Sequence, residues 1–133
     1  MIEEFVGQTI VDIKMNETET ELTFTMSSGV TYVQFHQQDC CENVWVEDIA
    51  GDLNDLKYST ILDAREEINN ETSEYDDSTT WTFYILRTMK GSVTIRWCGA
   101  SNGYYSESVD WIKNPPAEGF RANMFEEDLF TLH

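Results

Sequence analysis

Apolar and polar residues alternate with a period of two along much of this chain, the pattern of strands that bury one face. Over 9–14, Ile10, Val11 and Ile13 stand among polar neighbours. Over 21–26, Leu22, Phe24 and Met26 share a face; over 30–36, Val30, Tyr32 and Gln34 oppose Val33 and Phe35. Ser27-Ser28-Gly29 lies between these two runs, a short turn with a glycine available for positive φ, so they predict a hairpin. A fourth strand is expected over 43–48, where Val44 and Val46 alternate against Trp45.

The middle of the chain reads differently. Gly51-Asp52 breaks the strand pattern, and Ser59 or Thr60 can cap a helix running through Ile61, Leu62, Ala64 and Ile68. Its polar face would carry Asp63, Arg65, Glu66 and Glu67. Residues 69–79 are polar and acidic and predict a loop. Two strong strands follow, over 80–87 with Trp81, Phe83 and Ile85 on one face, and over 92–97 with Val93, Ile95 and Trp97 on one face. Met89-Lys90-Gly91 is the turn of this second hairpin. Another strand is expected over 104–112, stopped by Asn114-Pro115-Pro116, and then a C-terminal helical extension over about 117–130 with Phe120, Met124 and Phe125 inward. The count predicts an α+β fold: a mostly antiparallel β-sheet with one or two short helices, in a single domain over 1–133.

Charge narrows the function classes. Asp and Glu number 25 against 8 Lys and Arg, a net charge of −17. Such a surface repels phosphate and excludes direct nucleic-acid binding. Twelve of the acids fall within 42–77, opposed only by Lys57 and Arg65, so a face that imitates nucleic acid would lie there. No apolar run approaches the roughly 20 residues that span a bilayer. The opening Met1-Ile2-Glu3-Glu4 is acidic where a secretory leader is basic, which points to the cytoplasm. Cys40, Cys41 and Cys98 are odd in number without framework spacing and are expected as reduced thiols.

One stretch departs from this acidity. Residues 78–106 contain no Asp or Glu, and hold Arg87, Lys90 and Arg96 among Trp81, Phe83, Tyr84, Trp97, Tyr104 and Tyr105. An anion would be sought here. Arg87, Lys90 or Arg96 would pair with phosphate; Trp97, Tyr104 or Tyr105 would stack on a base; Asn102, in the Ser101-Asn102-Gly103 turn, would hydrogen-bond a base edge. His36 and Cys40 are metal-ligand types, but no Cys-x-x-Cys pair accompanies them. No Gly-rich phosphate loop, nucleophile elbow or paired-His motif is present, so the sequence calls for no cofactor and leans away from an enzyme.

The segments 36–56 and 81–106, with the opening Phe5-Val6-Gly7-Gln8-Thr9-Ile10, carry a resemblance. Asp39-Cys40-Cys41-Glu42, Gly51-Asp52-Leu53 and Ser101-Asn102-Gly103-Tyr104-Tyr105-Ser106 occur in the order found in an uncharacterised domain family of bacteriophages and prophages. The likeness covers about 5–110 and supplies a source rather than a mechanism. It implies an accessory phage protein acting in the cytoplasm of the infected bacterium. The expected function is counter-defence by sequestering a small anionic ligand, such as a cyclic nucleotide, in a homo-oligomer. The alternative is an acidic, nucleic-acid-mimicking inhibitor of a basic host defence protein.

Overall fold

A computed structural model describes residues 1–73 and 77–115. Within these residues eight strands follow in order: β1 (Ile10–Met15), β2 (Leu22–Met26), β3 (Thr31–Phe35), β4 (Asn43–Ala50), β5 (Asp63–Thr72), β6 (Ser78–Thr88), β7 (Gly91–Ser101) and β8 (Asp110–Lys113). They form two antiparallel four-stranded sheets, ordered β1-β2-β3-β8 and β4-β7-β6-β5. The chain leaves the first sheet through 36–42 and returns to it through 102–109.

Both expected hairpins are present, and their turns are made by local chemistry. In the β2–β3 turn Gly29 adopts φ 94° and its N–H donates to the Met26 carbonyl at 2.9 Å. In the β6–β7 turn the Lys90 N–H donates to the Thr88 hydroxyl at 3.1 Å, and pairing runs unbroken from Thr88↔Gly91 to Ser78↔Ser101. Leu22, Phe24 and Met26 of β2 and Val93, Ile95 and Trp97 of β7 are buried, as their alternation requires. One core unites the sheets. Trp111 of β8 meets Phe5 at 5.7 Å and Tyr84 of β6 at 5.6 Å, while the Trp97 indole donates to Gln34 of β3 at 3.2 Å.

The α+β expectation is corrected. Among the described residues there is no α-helix, only short 3₁₀ turns at Ile2–Phe5 and Leu53–Leu56. The helix expected from Ser59 or Thr60 through Ile68 is instead the start of β5, paired residue by residue with β6 from Asp63↔Arg87 to Thr72↔Ser78. The physical reason is tertiary. An eleven-residue β6 offers a full ladder of backbone partners, which outweighs the weak helical preference of a charged segment. The loop expected over 69–79 shrinks to the connection between Thr72 and Ser78, and the strand expected over 104–112 to Asp110–Lys113. The helical extension expected over 117–130 lies outside the described residues. Among those described, no helix is long and apolar enough to cross a membrane.

Candidate binding surface

The second sheet has an outward face on which the acid-free stretch is displayed, but not in the expected arrangement. Trp81, Phe83 and Ile85 of β6 are the outward residues, half-buried, while Thr82, Tyr84 and Leu86 point to the core. Arg96 of β7 lies over the Trp81 ring at 5.3 Å and also meets Glu47: its Nε donates to Oε2 at 2.7 Å, and Nη2 contacts the same oxygen. Asp48 is 3.9 Å away. Asn69, Glu71, Trp81, Phe83 and Arg96 line a shallow cleft of about 300 Å³.

The other expected site residues are dispersed. Trp97 is only 1% exposed and belongs to the core. Lys90 donates from Nζ to the Lys57 carbonyl at 2.6 Å and lies 5.9 Å from the Tyr58 ring. Arg87 is exposed near the same hairpin end, opposite Asp63. Asn102 accepts from the Tyr104 N–H at 3.1 Å, closing its own turn; Tyr104 is 87% exposed and Tyr105 half-buried. Arg96 therefore joins Trp81 and Phe83, two aromatics of the same stretch, rather than Trp97.

Sequence reasoning missed β5 as an edge strand. It lies against the Ile2–Phe5 turn, and its residues 65–72 are all exposed. Beside Arg65, which reaches Glu67 at 3.2 Å, it carries Asp63, Glu66, Glu67 and Glu71. Inward of it lies a second cleft of about 430 Å³, lined by Glu66, Ile68, Thr80, Thr82 and Glu107 among others. Glu66 accepts the Tyr84 hydroxyl at 2.7 Å; burial, and then this carboxylate, push the Tyr84 phenol well above its ordinary range. The available signal for β5 was ten residues without Gly or Pro.

Glu107 was also missed, and nothing in its sequence context marks it. It is 7% exposed, and its carboxylate accepts from Ser78 at 3.1 Å, from Thr80 at 2.7 Å, and from Ser101. Gly99 makes room for it, since a Cβ there would lie 2.7 Å from both the Glu107 Cβ and its carbonyl oxygen.

His36 and Cys40 fall in a different place, where the chain crosses between sheets. The expectation of reduced thiols there is corrected, because Cys40 and Cys41 are joined as a disulfide. His36 Nε2 meets Glu42 Oε2 at 2.8 Å, and Nδ1 meets the Ser108 carbonyl at 2.7 Å. Burial alone would raise the Glu42 carboxyl, but His36 and the N–H groups of Cys40 and Asp39 hold it down, to about 2. Glu42 and the Ser108 carbonyl thus engage both ring nitrogens of His36. The arrangement ties one crossing to the other. Cys98 is buried, and burial, followed by Glu47 and Glu107, raises its thiol.

No curated protein and no solved structure matches the chain. A family model does, over residues 3–111, described as a domain of unknown function, DUF7448. The chain belongs to that family.

Proposed function

We propose that this member of a family of unknown function is a binding protein that engages a positively charged partner through the acidic edge of its second sheet. One observation carries the reading: residues 65–72 of β5 are exposed, with Glu66, Glu67 and Glu71 against Arg65 alone. The acid surplus is not neutralised from within. Lys14, Arg65, Arg96 and Lys113 already pair with acids, in a chain with only 8 Lys and Arg against 25 Asp and Glu. A field of that sign draws in basic proteins and repels nucleic acid. In the phage setting that the sequence resemblance implies, the partner is a nucleic-acid-binding defence protein of the host, and the activity is counter-defence by mimicry.

The test is the affinity of the intact protein for poly-lysine across salt concentrations, by calorimetry. Binding should weaken steeply as salt rises, and Glu66→Gln with Glu67→Gln and Glu71→Gln should weaken it at low salt. Salt-independent binding, or none at low salt, would overturn the reading.

A second reading, capture of a small anionic nucleotide-type ligand, is supported by Arg96 stacked on Trp81 above the outer cleft. The ligand's phosphate would have to displace Glu47 from the guanidinium. Nucleotide released from heat-denatured protein, and lost in Arg96→Ala, would favour this reading; its absence would dismiss it.

A further inference from the structure

The acidic edge has a second property beyond charge, and the inference drawn from it rests on the basic-partner reading. β5 pairs with β6 through ten consecutive residues with no bulge, and among the described residues no strand pairs with its other side. Along 65–72 every second residue therefore presents its backbone N–H and C=O outward. Neither Gly nor Pro interrupts the run. We propose that the partner contributes an extended basic segment that adds to β5 as a fifth strand of the second sheet.

The two clefts explain why a strand, rather than any cationic surface, fits. Side chains of an added strand point alternately to the two faces of the sheet. The inward cleft holds the Glu66 and Glu107 carboxylates beside Ile68, which is 62% exposed; the outward cleft holds Trp81 and Phe83 beside Glu71. Lys or Arg suits the first, with its aliphatic stem on Ile68 and its charge near Glu66. An apolar side chain suits the second, beside Trp81 and Phe83, since Arg96 already lies over the Trp81 ring.

Charge chooses among the possible occupants. A second copy pairing β5 with β5 would bring Glu66, Glu67 and Glu71 against the same acids, and like charges across strands destabilise. The chain's own residues 116–133 carry Glu118, Glu126, Glu127 and Asp128 against Arg121, a charge of the same sign as the edge. The same acids that guard an open edge against self-pairing admit a basic strand.

The experiment uses the intact chain and two peptides of equal charge, about ten residues long with alternating Lys and Val. In one peptide the backbone nitrogens of alternate residues are methylated, so that one edge cannot donate. Binding is followed by calorimetry and by amide hydrogen exchange. The unmodified peptide should slow exchange at alternate residues of 65–72, and methylation should weaken it about tenfold or more, because several backbone hydrogen bonds are lost together. Equal affinity for both peptides with unchanged exchange at 65–72 would overturn strand addition while leaving the charge-based reading standing. Failure of both peptides to bind would remove both. Slow exchange at the outward-facing amides of 65–72 in the free protein would also overturn it, assigning the edge to a second copy if concentration-dependent and to the chain's own remainder if not.

Discussion

β4 and β5 bound the same sheet, yet one edge is closed and the other open. On β4 a bulge falls between Val46 and Asp48, the Val46 N–H is taken by the Glu19 carbonyl at 2.7 Å, and Glu47 is held by Arg96. The strand is entered through buried Glu42 and left through Gly51 at φ 107°. Among the described residues β5 shows none of these devices over 65–72: its register is regular, its side chains are exposed, and acids line it. An edge strand that is neither bulged nor covered attracts further strands unless something repels them. What the difference teaches is that one edge of a sheet can be pinned by local contacts while the other stays exposed, and it is on the exposed edge that the proposed binding rests.

The comparison breaks most visibly at Glu42. Glu42→Ala removes the acceptor of His36 and of the Asp39 and Cys40 N–H groups, and should cost about 3–5 kcal/mol in urea unfolding, as expected when one partner of a buried pair is deleted. The same carboxylate sets a pH dependence. Its folded pKa is about 2 against an ordinary 4.5, so its stabilisation is fully present above about 4.5 and disappears as pH falls toward 2. Urea midpoints at pH 6 and pH 3 should therefore differ less in Glu42→Gln than in the parent; an equal difference would show that Glu42 is not the linked group.

A smaller effect is expected at the far end of β4. In Gly51→Ala the new Cβ would lie 2.7 Å from the Ser92 carbonyl oxygen at a backbone angle unsuited to alanine, with an expected loss of about 1–3 kcal/mol by thermal or urea unfolding. Unchanged stability would mean that β4 is not pinned there. On the open edge, Glu67→Gln should change stability by no more than about 0.5 kcal/mol, since the residue is exposed and its ion pair is with exposed Arg65. A loss as large as that of Glu42→Ala would erase the distinction between the edges.

How much was legible follows from how local each feature is. The β2–β3 and β6–β7 hairpins could be read because their turns and alternation lie within a few residues. β6 was harder to orient: Trp81, Phe83 and Ile85 look more core-like than Thr82, Tyr84 and Leu86, yet the latter face inward, with Tyr84 meeting Trp111 across the sandwich. β5 resembled a helix because an exposed edge strand needs no alternation. Of the expected binding residues, Arg96 does sit on an aromatic ring, but the ring is Trp81 and not the neighbouring Trp97.

By itself the sequence determined the two hairpins with their tight turns and the acid surplus, because alternation, turn chemistry and net charge are properties of neighbouring residues or of composition. Tertiary structure decided which face of β6 is inside, that 63–72 is a strand, and that Glu42 and Glu107 are buried with their donors. Each of these depends on a partner distant in the chain: β6 for β5, Ser108 for His36, and Ser78 and Thr80 for Glu107. A buried carboxylate is tolerable only where such donors converge, and no local pattern announces where the fold will bring them together.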